Sequence, residues 1–242
     1  MTNRTDPAAV ARPGQAAGFA AQPGKPILAI ETGSRACSVV VYAGPMDVPN
    51  MVHEKTDHGH ATLLMPMIER AMGRAGRAYA DLDRVAVAVG PGSFTGLRVG
   101  IAAAQGIGLA ANIPVVGISS FLGVVDAAQR ERDGRRVFAL LDSRREEPFV
   151  AEVDEQMQFV RPPAVVNVEE LDAMLAAARP LILAGDAPAM GRYAGQGGIR
   201  LIQTWPTAVD VARLAADPAH RYDLPPKPVY VRAPDVTMPK TA

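Results

Sequence analysis

The 242-residue chain carries one cysteine, one tryptophan, four histidines and few aromatic residues (5%), and its 25 basic and 25 acidic residues cancel. Each shortage rules something out. A single thiol, Cys37, cannot form an internal disulfide, and no Cys/His cluster has the spacing of a structural zinc site. Cys37 lies in the apolar run Cys37-Ser38-Val39-Val40-Val41-Tyr42, where a small buried side chain is expected rather than a nucleophile. Zero net charge removes any global field for holding a polyanion, so contact with nucleic acid must be local or shared with a partner. No stretch has the character of a membrane span: the nearest, residues 99–118, is broken by Gln105, Asn112 and Pro114 and is alanine and glycine in much of its length. A reducing cytoplasm fits this composition. Residues 1–26, rich in Ala, Gly, Pro and Gln and without a continuous apolar segment, read as a disordered extension rather than a signal peptide.

What is present is 48% hydrophobic residues, enough for one large core or two smaller ones, and an α/β pattern that splits into two lobes. Ile27-Leu28-Ala29-Ile30-Glu31-Thr32-Gly33-Ser34 reads as a buried strand ending in a polar turn, and residues 37–42 return as its hairpin mate. Glu31, Thr32 and Ser34 stand at the strand end, where a carboxylate and hydroxyls suit a nucleotide's phosphates or metal. Plain turn chemistry accounts for the same residues. Residues 52–56 add a third strand. His58-Gly59-His60 then precedes a segment whose apolar positions 64, 67, 68, 71 and 72 repeat with helical period, a helix kinked or restarted at Pro66. Two histidines at i and i+2 lack a third ligand, so a cap or turn is expected there, not a metal.

The organising stretch is Gly90-Pro91-Gly92-Ser93-Phe94-Thr95-Gly96-Leu97-Arg98-Val99-Gly100-Ile101, which follows the strand-like Val85-Ala86-Val87-Ala88-Val89 and opens an alanine-rich helix. Its glycines and helix N-terminus admit a phosphate-binding reading. A Walker A loop is excluded, because Gly90 and Gly96 are one residue too far apart and Leu97-Arg98 replaces the lysine and hydroxyl. A nucleophile elbow is excluded too, since Pro91 and Thr95 flank Ser93 where glycines are required. Behind the turn, Gly96, Gly100, Ala104 and Gly108 form a bare ridge at four-residue intervals. Each glycine costs roughly 1 kcal/mol of helix propensity relative to alanine, so something must approach the ridge closely, either the chain's own sheet or another helix.

A strand at 114–118 and a helix at 120–130 complete a first lobe over residues 27–133. A second lobe, residues 134–232, begins with Val137-Phe138-Ala139-Leu140-Leu141-Asp142, which echoes the first strand by ending in an acid and a hydroxyl. It continues with a strand at 149–153, a helix at 168–178, strands at 181–184 and 199–203, and a helix at 208–216. Pro228-Val229-Tyr230-Val231-Arg232 reads as an extended element laid on the body, followed by a tail at 233–242.

Ile27-Leu28-Ala29-Ile30-Glu31-Thr32, Cys37-Ser38-Val39, His60 with Leu63-Leu64 and Pro66-Met67-Ile68, and the glycine stretch from Gly90 to Gly100 together resemble the TsaB (YeaZ) family of tRNA threonylcarbamoyladenosine biosynthesis proteins. Asp142-Ser143-Arg144-Arg145 and the segment Pro228-Val229-Tyr230-Val231-Arg232 fit the same resemblance. It implies the actin/sugar-kinase/Hsp70-like (ASKHA) fold, an α/β architecture of two duplicated lobes with mixed sheets flanked by helices. It also implies a part in placing threonylcarbamoyl on adenosine 37 of tRNAs that read codons beginning with A. In that system a paralogue, TsaD, carries the metal and catalytic site and a small ATPase, TsaE, supports turnover. The TsaB-like chain pairs with TsaD, or with itself when alone, through first-lobe helices. By the resemblance the interface here is His60, Leu64, Met67, Ile68 and Ala71 of one helix with Gly96, Leu97, Gly100, Ile101, Ala104 and Gly108 of the other. This raises the helix-partner reading of the ridge above packing on the sheet. Where the paralogue has a His-x-x-x-His metal motif, this chain reads Ser119-Ser120-Phe121-Leu122-Gly123, so no catalytic or metal-ligating residue is assigned. Transfer RNA is expected through the complex, with no tightly bound cofactor and with ATP or ADP at the level of the complex. Glu31 replaces the family's usual Asp, and Glu147-Pro148-Phe149 interrupts its usual second-lobe hairpin. The alternative reading is an autonomous ATPase or kinase of the same fold, with Glu31, Thr32, Ser34 and Asp142 as nucleotide-side residues.

Overall fold

In the central strands of the first sheet, large and small apolar residues alternate, and that alternation sets the layers. The computed structural model describes residues 25–44, 51–55, 59–219 and 221–232; the first 24 residues of the expected extension, His58 and residues 233–242 lie outside the described residues. Chain order is β1 (Ile27–Glu31), β2 (Ala36–Tyr42), β3 (Val52–Lys55), α1 (His60–Ala75), β4 (Arg84–Gly90), α2 (Phe94–Ala111), β5 (Val115–Ser119) and α3 (Ser120–Ala128). There follow β6 (Arg136–Leu141), β7 (Phe149–Val153), β8 (Ala164–Val165), α4 (Val168–Ala176), β9 (Leu181–Gly185), β10 (Ile199–Gln203) and α5 (Ala208–Ala215).

Two five-stranded sheets result, ordered β3-β2-β1-β4-β5 and β8-β7-β6-β9-β10. Each is led by an antiparallel hairpin whose first strand pairs in parallel with the fourth, with Leu28 opposite Val85 and Val137 opposite Ile182. The second sheet thus repeats the first, and the duplicated ASKHA architecture expected from the sequence is present. Of the two expectations at Pro66, a kink or a restart, the restart is not observed: α1 is one helix through Pro66 and ends at Gly76, whose φ of 60° suits glycine.

The first sheet is buried on both faces. Leu28, Ile30, Val85, Val87 and Val89 pack with α1 and α2, while Ile27, Ala29, Ala86 and Ala88 point the other way, toward the second lobe. Alanines on that inner face let helices approach closely. The two helices lodged there are exchanged between the lobes: α3, which ends the first lobe, also packs on β6 and β9, and α5, which ends the second, packs on β1, β2 and β4. A boundary at residue 133 therefore divides the sheets but not the helices. The reason is local. Ser38 of β2 accepts the N–H of Ala208 at 2.9 Å and so caps α5 from the first sheet, beside the cap made by Thr207 and Asp210. Phe121, Leu122 and Val125 of α3 meet Val211, Ala212 and Ala215 of α5 in one core shared by both lobes.

Residues 228–232, expected as an extended element, form the end of a strap over residues 222–232. Leu224 exchanges both backbone hydrogen bonds with Gly117 of the edge strand β5, at 2.7 and 2.8 Å, and the Val229 N–H donates to the Val89 carbonyl at 2.8 Å. Arg84, buried at the start of β4, donates to Asp223 at 3.2 Å and to Asp83 at 2.7 Å, while Arg232 reaches Glu147 of the second lobe at 3.0 Å.

Candidate functional site

The duplicated strand ends bring Glu31 and Asp142 to opposite sides of the inter-lobe cleft. Glu31 is fully buried, and its carboxyl is engaged by its own turn: Oε1 accepts the N–H groups of Gly33 and Ser34 at 2.7 and 3.1 Å, and Oε2 lies 2.6 Å from Ser34 Oγ. Burial pushes its pKa up to about 8, against these hydrogen bonds, with repulsion from Asp186 adding to the rise. The neutral acid therefore predominates at pH 7. Ser34 Oγ donates to Oε2 and accepts the Ala36 N–H at 3.3 Å, so the cluster is bonded within its own turn.

Thr32 turns away from the cleft and donates to the Gly96 carbonyl at 2.8 Å. Across the cleft, Asp142 accepts from Arg35 Nη2 at 2.5 Å and Nε at 3.2 Å, and from the Arg144 N–H at 2.8 Å. Asp186 accepts the Asp142 N–H at 2.9 Å, and its own pKa is raised, chiefly by burial. Of the four residues expected to face a nucleotide, Glu31 and Ser34 form one cluster, Asp142 is joined to them through Arg35, and Thr32 is held elsewhere. All four are committed to bonds within the chain. Among the described residues, no three His, Cys, Asp or Glu side chains gather as a metal site would require.

The glycine stretch is explained by the first sheet. The Ser93 N–H donates to the Gly33 carbonyl at 2.7 Å, and a Cβ on Gly92 would lie 2.5 Å from that same oxygen. Along the ridge, a Cβ on Gly96 would lie 2.0 Å from the Thr32 carbonyl oxygen, one on Gly100 2.3 Å from Thr32 Oγ1, and one on Gly108 2.3 Å from Val115 Cγ2. The ridge is the seat of α2 on its own sheet.

This corrects the interface expected from the resemblance. His60, Leu64, Met67, Ile68 and Ala71 of α1 and Gly96, Leu97, Gly100, Ile101, Ala104 and Gly108 of α2 are all buried, so a docking chain would not reach them. Helical periodicity picks out the apolar stripe of an amphipathic helix, which is the core face. Helix α2 has a second small-residue stripe on the opposite side. Ala102, Gly106, Leu109 and Ala110 are exposed, with Val99 and Ala103 half-buried beside them. Leu109 is 86% exposed, and nothing lies within 4 Å of a Cβ on Gly106. Met65 and Pro66 of α1 are exposed as well. The four-residue spacing of Ala102, Gly106 and Ala110 is a sequence signal that could have found this face.

A third feature escaped sequence reading. Phe94, at the start of α2, stacks on Tyr230 of the strap with ring centroids 5.5 Å apart. The Arg98 guanidinium carbon lies 3.8 Å from the Phe94 ring centre, and Arg98 Nε donates to the Tyr230 hydroxyl at 3.1 Å. Gln105 donates to the Pro226 carbonyl at 3.0 Å, so the strap borders the outer stripe of α2.

Comparison with known proteins bears on this geometry. Residues 49–205 match the family model described as "TsaD: tRNA N6-adenosine threonylcarbamoyltransferase". The tRNA threonylcarbamoyladenosine biosynthesis protein TsaB of Escherichia coli is 36% identical over 126 residues, which is 52% of this chain and 54% of that protein. The chain spans about half the length of the curated relatives it matches. Among solved structures, an uncharacterized protein with similarity to peptidase YeaZ from Pseudomonas aeruginosa aligns with a TM-score of 0.71 at 28% identity, covering 86% of this chain and 100% of that one. YeaZ from Pseudomonas aeruginosa aligns with a TM-score of 0.69 at 27% identity, covering 85% and 99%. The chain therefore belongs to the tRNA N6-adenosine threonylcarbamoyltransferase (TsaD) family and, within it, to the TsaB, or YeaZ, group.

Proposed function

We propose that this chain is a non-catalytic partner subunit in the formation of threonylcarbamoyladenosine on tRNA, docking a TsaD-like paralogue through the outer face of α1 and α2. The observation that carries the reading is the exposed stripe Ala102, Gly106, Leu109 and Ala110 of α2, with Met65 and Pro66 exposed on α1. Small residues let a second helix approach closely, and a contiguous exposed apolar face suits a protein partner. The same face would serve a homodimer when the paralogue is absent. The α3 start supports a non-catalytic role: Ser119, Ser120, Phe121 and Leu122 are buried there, and Phe121 and Leu122 fill the shared core. The bonds that occupy Glu31, Thr32, Ser34 and Asp142 favour this reading over an autonomous ATPase or kinase. ATP, a TsaE-like ATPase and tRNA then enter through the complex.

The test is Gly106→Arg, which points into open space and leaves the core untouched. It should abolish co-elution with the paralogue on a sizing column and fail to restore threonylcarbamoyladenosine, measured by mass spectrometry of tRNA nucleosides, in cells depleted of the wild-type chain. Normal co-elution and full restoration by the variant would refute the docking face. An unchanged nucleoside level on depletion alone would refute the pathway.

A further inference from the structure

We infer that Arg98 is a preformed receptor for a carboxylate of the protein partner, set at the rim of the docking face. The inference rests on the docking reading above and adds the chemistry by which the partner is recognised.

Arg98 is the one charged residue in α2. It is exposed, yet its position is fixed by the Phe94 ring beneath the guanidinium and by the bond from Nε to the Tyr230 hydroxyl. That leaves both terminal nitrogens, a planar fork of donors, without a carboxylate partner among the described residues. Arg35, Arg84, Arg136, Arg161 and Arg232 each reach a carboxylate within 3.2 Å, whereas Arg132 and Arg179 bond to carbonyl or amide oxygens instead. A guanidinium held by an aromatic face and a phenol has already lost the side-chain freedom that a free arginine would lose on binding. Phe94 and Tyr230, 46% and 40% exposed, flank it with apolar surface, so a partner that covers them also strips water from the ion pair. Ala102 follows one helical turn after Arg98, which makes the receptor continuous with the outer stripe.

The surroundings favour a protein carboxylate over an RNA phosphate. The other exposed residues of α2, namely Phe94, Thr95, Ala102, Gln105, Gly106, Leu109 and Ala110, are uncharged. A polyanion is held by several cations in series, whereas a single fork with a neighbouring apolar stripe matches a protein interface with one buried ion pair.

The experiment measures affinity of the full chain for the TsaD-like paralogue by calorimetry at low and moderate salt, for wild type, Arg98→Ala, Arg98→Gln, Arg98→Lys and Gly106→Arg. Hydrogen exchange at residues 224–230 checks that the strap stays docked. Arg98→Ala and Arg98→Gln should each weaken binding about tenfold or more and reduce its salt dependence, with Arg98→Lys between them and wild type. Wild-type affinity in Arg98→Gln, where length is kept and charge removed, overturns the inference. If Gly106→Arg still abolishes binding in that case, the docking face stands without this receptor. If Gly106→Arg also binds normally, the docking reading fails together with the receptor. Unchanged paralogue affinity with weaker tRNA binding by the assembled complex assigns Arg98 to RNA and overturns the carboxylate.

Discussion

Replacing Glu31 with glutamine should make the protein more stable than wild type above neutral pH and equal to it, or nearly so, in acid. The ordinary pKa of 4.5 applies in the unfolded chain, and burial raises it to about 8 in the fold. Below 4.5 the group is neutral in both states and its full contribution is present. As pH rises, the unfolded chain ionises first, which favours unfolding, and the loss grows until pH passes about 8. At about 1.4 kcal/mol per pH unit, the whole excursion is on the order of 5 kcal/mol, with about 2 to 3 kcal/mol of it between pH 6 and pH 8. Glutamine reproduces the neutral acid: its oxygen can accept the Gly33 and Ser34 N–H groups, and its amide can donate to Ser34 Oγ. Urea unfolding of both proteins at pH 5, 6, 7, 8 and 9 isolates the effect of Glu31 and the groups coupled to it, because titrating groups remote from it cancel in the difference. The difference should swing in favour of the variant across that range. A difference that stays constant with pH, or that swings toward wild type in alkali, would show that Glu31 is ionised in the fold and that the reasoning is wrong.

Two further substitutions test the packing account. Gly100→Ala places a methyl 2.3 Å from Thr32 Oγ1 and should destabilise by about 1 to 3 kcal/mol, whereas Gly106→Ala, facing open space, should stabilise by roughly 0.5 to 1 kcal/mol; thermal melts should separate them in sign. Ser38→Ala leaves the Ala208 N–H without its acceptor at the buried start of α5, and urea unfolding should record a loss of about 1 to 3 kcal/mol.

Much of this fold was legible because local signals and tertiary demands agree. Strand β7 and strand β10 fall on the expected bounds, and the hairpin-led repeat was visible in the acid and hydroxyl that end residues 27–34 and 137–143. Strand β8 escaped because two residues carry no periodicity. The lodging of α5 against the first sheet escaped for a different reason: connection length suggests neighbours, but nothing local in residues 208–215 names the surface they cover. The site was legible in its residues and not in its orientation. Glycine spacing announced a close approach to α2, and the sheet and a partner compete equally for that description until burial is known. The Arg98 cluster depends on Tyr230, which is 132 residues away in the chain.

The exchange of helices between the lobes sets the order in which the nascent chain can mature. Strands β1, β2 and β4 leave the ribosome early and can pair at once, but the inner face of their sheet waits for α5, whose capping bond joins residues 170 positions apart. Until that helix emerges, Ile27, Ala29, Ala86 and Ala88 lack one side of their core. Synthesis of the second lobe is therefore a period in which the first is chemically whole and thermodynamically unfinished, exposing apolar surface to chaperones and proteases. A duplicated architecture suggests two modules that mature one after the other. Here the last of the described helices completes the sheet that opens the fold.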